Sequence, residues 1–452
     1  MEWIMRINDF VGDLVWGPFM LAVLVGVGIY YTVRTGLFQL TYINKIFKNT
    51  LGKLFSKSER SQNGVTPFQA VSTALAGTMG VGNIAGVGTA LAAGGPGALF
   101  WMWVSAFFGM MTKYAEVVLS MVYQTTDEKG NKIGGPMYYL SRGLGWKWLG
   151  AVFSVLCAVA SFGIGNMTQS NAISENFSRV FHVEPLVCGV VLALGAGLVI
   201  LGGIKRIASF TSKLVPLMSV LYFLMTITIV ILNAGRLPAA FGTIFEGAFS
   251  LEAAGGGALG YVMMLALRYG FSRGVFSNEA GLGSAPIAHG AADCKEPVEQ
   301  GMWGVVEVFL DTIVICTLTG LSILVTDSFQ PGLDGAQFIS LAFQSTFREF
   351  GAYLLAVAIG VFAFSTIVGW AYYGEQSIRF LVKRRAAVVA YQFVFIALIV
   401  VGATMKLDDV WAISDTFNGL MSIPNLVGLI LLSGVVLRQT REYKRRRNVK
   451  SR

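Results

Sequence analysis

The 452-residue sequence contains little charge, since Asp, Glu, Lys and Arg together make up only 13% of it. An average soluble domain carries about 25% of these residues. Hydrophobic residues account for 54% of the chain, and its mean hydropathy is +0.64. This composition excludes a soluble enzyme, a disordered scaffold and a nucleic-acid-binding protein, and it indicates a protein that crosses the membrane many times.

Groups that carry catalysis or bind metals are also scarce. The chain has two histidines and four cysteines, and the spacing of Cys157, Cys188, Cys294 and Cys316 is not that of a metal site. It contains no Gly-x-x-x-x-Gly-Lys sequence, so ATP-driven pumping is not expected. Neither a nucleophile with a base nor a pair of catalytic carboxylates is recognisable. We therefore expect no enzymatic activity.

Apolar segments long enough to span a bilayer recur along the whole chain when it is read with a window of about 19 residues. There are eleven of them, at 12–34, 67–93, 97–123, 147–170, 185–203, 207–233, 258–290, 301–326, 350–378, 386–405 and 411–437. Gly and polar residues make 67–93 and 258–290 poor continuous helices. The sequence therefore predicts an all-α polytopic membrane protein with eleven transmembrane helices.

The basic residues predict the orientation of these spans. If the chain crosses the membrane eleven times, 26 of its 34 Lys and Arg fall on one side and five on the other. Because basic residues accumulate in cytoplasmic loops, we expect the N-terminus outside the cell (plasma) membrane and the C-terminus in the cytoplasm. Eight basic residues lie within 438–452, a pattern that fits a tail in contact with anionic lipid.

Two octapeptides indicate an internal repeat. Asn83-Ile-Ala-Gly-Val-Gly-Thr-Ala90 and Asn278-Glu-Ala-Gly-Leu-Gly-Ser-Ala285 are identical at five of eight positions and lie 195 residues apart. Five spans separate them, so the second copy would enter the membrane from the opposite face, as in an inverted-topology repeat. The alternative is that both are small-residue faces that pack helices together.

The repeat divides the chain into five parts. They are an extra N-terminal transmembrane helix (1–35), a cytoplasmic amphipathic loop (36–66), a first five-helix repeat (67–233), a second five-helix inverted repeat (258–437) and a basic cytoplasmic tail (438–452). In the loop, apolar residues from Phe38 to Phe55 recur at helical spacing, which predicts a helix at the membrane interface. The first helix of each repeat is expected to be discontinuous.

The two interrupted segments point to a binding site. Non-helical backbone survives at membrane depth only where it is buried in protein or lines a cavity. In transporters such breaks direct half-helix N-termini at a substrate carboxylate, and freed carbonyls hold cations. The sequence predicts breaks at 76–82 and 272–277 that face each other at mid-bilayer and bind a small zwitterion with a monovalent cation.

Two long motifs resemble those of a known family. Gly94-Gly-Pro-Gly-Ala-Leu-Phe-Trp-Met-Trp-Val-Ser-Ala-Phe-Phe-Gly109 and Ser272-Arg-Gly-Val-Phe-Ser-Asn-Glu-Ala-Gly-Leu-Gly-Ser-Ala-Pro-Ile-Ala-His289 are similar to motifs of the alanine or glycine:cation symporters. The resemblance runs through essentially the whole chain. It implies sodium-coupled uptake of alanine or glycine on the leucine-transporter-like fold of five plus five helices. Gly80-Val-Gly-Asn83 also resembles the Gly-x-Gly-Asn stretch at which the first core helix of neurotransmitter:sodium symporters unwinds.

Several groups are expected to bind the amino acid. The N–H groups of Val81 and Gly82 would bind its carboxylate, since glycine lets the backbone approach closely, and carbonyls at the breaks would accept from its ammonium group. An interhelical hydrogen bond is the alternative for Asn166. Trp370, one turn after Thr366, would limit the substrate side chain to about a methyl group or serve as a core aromatic. The predicted substrate-binding residues are Gly77, Thr78, Gly80, Val81, Gly82, Asn83, Phe162, Asn166, Gln169, Ser272, Gly274, Val275, Phe276, Ser277 and Trp370.

The co-transported sodium ion needs hard oxygen ligands. The same resemblance implies that these are the hydroxyls of Ser365 and Thr366 with carbonyls near Ala76, Met79 and Phe362. The alternative is that both hydroxyls hydrogen-bond only to carbonyls of their own helix.

Other interpretations stay open. Lys113 and Glu116, three residues apart on one predicted helix, are expected to pair with each other. A proton-coupled symporter of another small neutral amino acid is an alternative within the transporter class, and a channel is the alternative from a different class. The expected partners are the amino-acid substrate and membrane lipid, without nucleic acid or an obligate protein partner.

Overall fold

The computed structural model describes residues 2–53, 64–249, 258–330, 332–405 and 408–449, and nearly all of them are helical. The helices are α1 (Glu2–Val15), α2 (Pro18–Arg34), α3 (Phe38–Thr41), α4 (Ile43–Asn49), α5 (Pro67–Thr78), α6 (Ala85–Gly94), α7 (Gly97–Val122), α8 (Pro136–Tyr138), α9 (Lys147–Phe162), α10 (Thr168–Phe181), α11 (Pro185–Ile200), α12 (Gly203–Leu232), α13 (Leu237–Phe249), α14 (Ala258–Asn278), α15 (Ala285–His289), α16 (Pro297–Val308), α17 (Thr317–Val325), α18 (Gly335–Phe347), α19 (Glu349–Leu381), α20 (Arg385–Thr404), α21 (Asp408–Leu431) and α22 (Ser433–Val449). Short 3-10 turns lie at Leu51–Lys53, Val81–Asn83 and Ala234–Arg236, and π-helical turns at Tyr139–Gly143, Gly163–Met167 and Phe309–Cys316. One antiparallel hairpin pairs β1 (Thr125–Thr126) with β2 (Lys132–Ile133).

Length and apolarity alone qualify six described helical stretches as membrane spans, or seven if the bent pair α21 and α22 counts as one. The six are Met5–Arg34, Lys147–Phe181, Gly203–Leu232, Pro297–Val325, Glu349–Leu381 and Arg385–Thr404. Helices α5, α6 and α11 have 12, 10 and 16 residues, so each is too short to qualify by itself. Described helices nevertheless lie over each of the apolar segments found in the sequence, and the chain is a helical membrane protein.

The first interrupted segment breaks at 79–84, which overlaps the predicted break at 76–82, although 76–78 still belong to α5. Helix α5 begins with a capping box, in which the Thr66 hydroxyl accepts from the Gln69 N–H and the Gln69 side chain accepts from the Thr66 N–H. The helix ends at Thr78. The chain then runs through the non-α-helical segment 79–84 before α6 begins at Ala85.

The second break lies later than predicted. Helix α14 continues to Asn278, so 272–277 is helical and the prediction of a break there is wrong. The chain leaves the helix over 279–284 instead, where Glu279, Gly281 and Gly283 have φ angles of +54°, +94° and +86°. Glycine adopts this left-handed backbone at little cost, so Gly281-Leu-Gly283 marks the break.

The N-terminal part differs from its prediction in two places. The segment predicted as one span over 12–34 consists of α1 and α2, because α1 ends at Val15 and Pro18 starts a new helix. The interfacial helix predicted from Phe38 to Phe55 is replaced by α3, α4 and a 3-10 turn. Leu54 and Phe55 lie outside the described residues.

The fold has two opposite ends. We call one the α18 end, after helix α18, and the other the hairpin end, after the β1–β2 hairpin. Helix α7 has 26 residues and therefore a length of about 39 Å; it runs from one end to the other. At the α18 end, α7 and α13 pack backbone to backbone at glycines. A Cβ atom added to Gly97 would lie only 2.3 Å from the backbone of Gly247 in α13. At the hairpin end, ion pairs join distant segments, with Lys132 2.7 Å from Asp293.

Candidate functional site

The first break meets the last turn of α14, the turn that leads into the second break, inside the helix bundle. Asn83, in the first break, donates from Nδ2 to the Oγ of Ser277, in the last turn of α14, over 3.0 Å. A Cβ atom on Gly82 would lie 3.3 Å from the ring of Phe276. Asn83 and Ser277 are fully buried. The end of α14 therefore contacts the first break, although the helix extends one residue beyond the predicted break.

Asp311 joins the first break to the last turn of α14. It lies in the π-helical turn Phe309–Cys316, where its Oδ1 accepts from Asn83 Nδ2 over 2.7 Å. Its Oδ2 accepts from the hydroxyls of Ser277 and Thr312 over 2.8 Å each. We call Asn83, Ser277, Asp311 and Thr312 the Asn83 cluster. Sequence analysis missed this arrangement, and the available signal was a carboxylate within an apolar span.

The ends of α5 and α14 give this region its electrostatic character. Both helices end at the breaks, at Thr78 and Asn278. Last-turn carbonyls lack partners within their own helix and carry partial negative charge. Next to them, Val81–Asn83 forms a 3-10 turn and α6 begins, so N–H groups are presented there as well. One place thus offers acceptors for cations and donors for a carboxylate.

The oxygen atoms predicted to bind sodium lie together between α5 and α19. The Oγ of Ser365 is 3.4 Å from the carbonyl oxygen of Ala76 and 2.7 Å from that of Phe362. The Oγ1 of Thr366 is 3.5 Å from the carbonyl oxygen of Met79 and 3.2 Å from that of Phe362. All five residues are buried. The structure thus brings the predicted set together, and both hydroxyls also bond to their own helix.

Glycines permit this close approach of α19. A Cβ atom on Gly80 would lie 2.6 Å from the Oγ1 of Thr366, and one on Gly369 would lie 2.7 Å from the backbone nitrogen of Gly77. Gly77 in turn faces Tyr373, whose hydroxyl would lie 2.7 Å from a Cβ atom at this position. Larger residues at these positions would separate the carbonyls of α5 from the hydroxyls of α19.

Side chains from the α9–α10 region divide into two groups. Gln169 reaches the first break, where its Oε1 accepts from the Val81 N–H over 3.4 Å. Asn166 instead donates to the carbonyl of Phe395 on α20 over 2.6 Å. The ring of Phe162 also packs against Phe395, with 6.2 Å between centroids. Asn166 and Phe162 therefore bind α20, and for Asn166 the structure shows the alternative interhelical hydrogen bond.

All residues predicted to form the second break, 272–277, are within α14, and three of them are engaged away from the first break. The carbonyl oxygen of Val275 accepts a hydrogen bond from the Glu279 N–H over 2.8 Å. Gly274 packs against Ser105 of α7, and Ser272 lines a separate cavity of about 340 Å³ near the α18 end. Since helical carbonyls are already engaged, the expected role as ammonium acceptors is restricted to the last turn of α14.

Trp370 is buried one helical turn beyond Thr366 on α19. A Cβ atom added to Gly165 would lie 2.3 Å from the Cβ atom of Trp370. Trp370 therefore packs directly against the π-helical turn Gly163–Met167. That turn leads into Gln169. Trp370 is therefore connected to the first break through both α19 and α10.

Glu116 of α7 stabilises the backbone of the second break. Its Oε1 accepts from the N–H groups of Gly281 and Gly283 over 3.1 Å each. The same oxygen accepts from the Nδ2 of Asn425 on α21 over 2.5 Å. A buried carboxylate thus supplies the partners that the interrupted helix lacks.

Lys113 pairs with Glu307, not with Glu116, so the predicted pair is wrong. Its Nζ lies 3.3 Å from Oε1 of Glu307 on α16, and both side chains are completely buried. The other oxygen of Glu307 lies 2.8 Å from Nε2 of His289 on α15. Helical spacing predicted the wrong partner because the Glu116 side chain points towards the second break. There it accepts from backbone N–H groups.

An apolar helix bundle in which two interrupted helices meet at a buried polar cluster has the architecture of a secondary transporter. The sequence profile of the sodium:alanine symporter family matches residues 1–452, and the chain belongs to this family. It is therefore a multi-pass membrane protein and a sodium-coupled amino-acid symporter, and it is not an enzyme.

Known proteins agree with this assignment. The sodium/alanine symporter AgcS of Methanococcus maripaludis is 45% identical over 451 residues, which cover 98% of each chain. The crystal structure of MhsT in complex with L-phenylalanine superimposes with a TM-score of 0.60 at 13% identity, covering 84% of this chain and 99% of MhsT. The substrate-bound outward-open structure of a Na+-coupled sialic acid symporter gives 0.55 at 15% identity, covering 93% and 86%. At these identities the two structures show a shared fold.

Proposed function

We propose that this symporter takes up alanine, glycine or both together with sodium, by alternating access around the two breaks. The observation that carries the proposal is the 3.0 Å contact between Asn83 and Ser277, next to the hydroxyls of α19. It is supported by the similarity to AgcS, whose name gives alanine as its substrate.

The proposed topology has eleven spans, with the N-terminus outside and the C-terminus in the cytoplasm of the cell membrane. An extra helix precedes two five-helix repeats of opposite orientation, at 67–233 and 258–437, and the first helix of each is broken. The hairpin end would face the cytoplasm, because its loops and α22 carry most of the basic residues. The basic tail would lie at the surface of the inner leaflet.

In the proposed binding mode, each end of the zwitterion meets groups of opposite charge. The N–H groups of Val81 and Gly82 bind the carboxylate. Last-turn carbonyls of α5 and α14, near Thr78 and Ser277, accept from the ammonium group, which the partial negative charge of two helix ends also attracts. Gln169, whose Oε1 accepts from the Val81 N–H over 3.4 Å in this structure, would release that N–H to the carboxylate. Burial makes each of these interactions stronger than it would be in water.

Sodium would bind between α5 and α19, to the oxygen atoms of Ala76, Met79, Phe362, Ser365 and Thr366. The same turn of α5 supplies ion ligands and, at Gly77 and Thr78, acceptors for the substrate ammonium group. An ion that fixes this turn therefore also orders the substrate site. This shared backbone gives a physical reason for coupling, since each ligand lowers the ordering cost of the other.

Uptake by the purified protein in proteoliposomes tests this function. An inward sodium gradient is expected to drive accumulation of labelled alanine, and excess unlabelled alanine or glycine should compete. Vesicles with choline inside and out should show no accumulation. Uptake that is equal in sodium and choline would contradict sodium coupling.

Proton coupling is a second candidate, because the buried carboxylate of Asp311 accepts from Asn83 in the first break and from Ser277 in the last turn of α14, and it can bind a proton in place of these hydrogen bonds. The same vesicles test it when a pH gradient is imposed without sodium. Accumulation under that condition would support proton coupling, and its absence would exclude it.

Replacing Trp370 with alanine is expected to widen substrate selection. Removal of the buried indole would leave room for more methylene groups, each worth about 1–3 kcal/mol in an apolar pocket. The concentration of leucine or valine that halves alanine binding should therefore fall by at least about tenfold. Trp148→Ala is the matched control, because Trp148 is 64% exposed. Unchanged competition profiles in Trp370→Ala would refute a role for Trp370 in selectivity.

A further inference from the structure

A large cavity at the hairpin end lies outside the proposed transport site. Its volume is about 890 Å³, and the β1–β2 hairpin, the α11–α12 turn and the α19–α20 turn surround it. Seven basic residues line it, namely Arg379 and six others: Lys129, Arg142, Lys205, Lys383, Arg384 and Arg385. Within the described ranges, none of these six forms an ion pair with a carboxylate.

The acidic residues of this cavity, which we call the basic cavity, do not neutralise that charge. Glu375 pairs with Arg379 over 2.8 Å. Asp127 accepts from the N–H of Asn131 over 2.8 Å and lies 3.8 Å from Arg379. Glu128 is exposed to solvent. The basic cavity therefore keeps an excess of positive charge and attracts anions.

Two long helices direct their N-termini into the basic cavity. Helices α12 and α20 begin there, and neither N-cap, Gly202 nor Arg384, provides a side-chain cap. First-turn N–H groups and the helix dipole favour a phosphate group at such a position. Gln376 is a second, independent feature: it lines the cavity, is 3% exposed, and its Oε1 has no hydrogen-bond partner among the described residues, so this oxygen is free to accept from a hydroxyl group of a ligand. The cavity thus presents polar groups that lack hydrogen-bond partners within the described part of the protein.

The wall of the basic cavity is apolar on one side. Leu201, Val382 and Val389 line it and are 53%, 41% and 37% exposed. On α11, Leu194 and Leu198 continue from Leu201 along one exposed helix face. A free phosphate ion would use none of this surface, whereas acyl chains would cover it.

We propose that the basic cavity binds the phosphate headgroup of an anionic glycerophospholipid, with its acyl chains along the exposed faces of α11 and α20. Basic pockets between helices on the cytoplasmic side are suited to such headgroups. The lipid would link α11 and α12 to α19, the helix that carries Ser365 and Thr366. The site does not depend on the proposed substrate or ion.

Native mass spectrometry of the full-length protein tests this proposal, with phosphatidylglycerol and phosphatidylcholine as probes. Wild type should retain phosphatidylglycerol preferentially. Arg384→Gln/Arg385→Gln should bind it about 30-fold more weakly, since each basic residue near an anionic surface strengthens binding about fivefold and two are removed. The matched control is Arg179→Gln/Arg348→Gln, which removes two exposed charges from α10 and the α18–α19 turn, away from both the basic cavity and the basic tail. Sodium-dependent alanine binding shows that each variant is folded.

The outcomes separate the possible ligands. Loss of phosphatidylglycerol in the cavity variant alone supports the proposal. Equal retention by the cavity variant and the control would overturn it. If inorganic phosphate or glycerol 3-phosphate at low millimolar concentration displaces the lipid or binds with equal affinity, the site recognises a soluble anion and the lipid assignment is wrong.

Discussion

Thr366→Val is expected to raise the sodium concentration for half-maximal alanine binding by about 10- to 150-fold. The substitution keeps the shape of the side chain but removes one of the proposed ion ligands, whose Oγ1 lies 3.5 Å from the carbonyl oxygen of Met79. A hydroxyl that interacts with a charged group contributes roughly 1.5–3 kcal/mol, which corresponds to this range of affinities. Alanine binding as a function of sodium concentration, measured on the purified protein, gives the result directly.

Thr226→Val provides the matched control. Thr226 is fully buried on α12, and its hydroxyl donates to the carbonyl of Tyr222 in the same helix over 2.8 Å. It therefore reports the cost of losing a buried helical hydroxyl away from the breaks. If both variants require the same sodium concentration as wild type, Thr366 is not an ion ligand.

Lys113→Met is expected to destabilise the protein by about 3–5 kcal/mol, because removal of one member of a buried ion pair leaves the other charge unpaired. Lys113 and Glu307 are both 0% exposed and lie 3.3 Å apart. Their pairing joins α7 to α16, and Glu116 on the same helix stabilises the second break. We therefore expect a lower unfolding temperature together with weaker alanine binding. Thermal unfolding in detergent measures the first effect.

The chain contains its own control for this variant. Lys53 and Glu299 form an ion pair over 3.2 Å, but their side chains are 52% and 20% exposed. Lys53→Met should cost at most about 1 kcal/mol, as for other surface pairs. The double variant Lys113→Met/Glu307→Gln should recover much of the lost stability, since no buried charge is left unpaired. Equal unfolding temperatures for Lys113→Met and Lys53→Met would show that burial does not govern the Lys113 pair.

The sequence predicted the first break well and the second one poorly, for a local reason. The repeated octapeptides align Asn83 with Asn278. Asn83 lies within the first break, shortly before α6 begins, whereas Asn278 is the last residue of α14, and the second break follows it. The same eight residues therefore begin a helix in one copy and leave a helix in the other. Gly281 and Gly283 have positive φ angles in the second copy, whereas the matching Gly86 and Gly88 lie within α6, so the glycines alone could not tell the two copies apart.

Long-range partners could not be predicted from spacing. The proposed sodium ligands came from a family resemblance, and the structure brings their oxygen atoms together. Asp311 and Asn83 are 228 positions apart, and only tertiary packing brings them within 2.7 Å. Lys113 likewise bonds to another helix instead of to the nearest carboxylate along its own. Periodicity identifies the buried face of a helix but not which helix packs against that face.

A structure determined by electron cryo-microscopy with alanine and sodium tests the central proposal most directly. We expect the amino acid between Val81–Gly82 and the last turn of α14, and the ion between α5 and the hydroxyls of Ser365 and Thr366. Density for alanine elsewhere would contradict the proposal. The cavity near the α18 end, where Arg273 and Asp415 carry opposite charges, is the position that would most clearly do so.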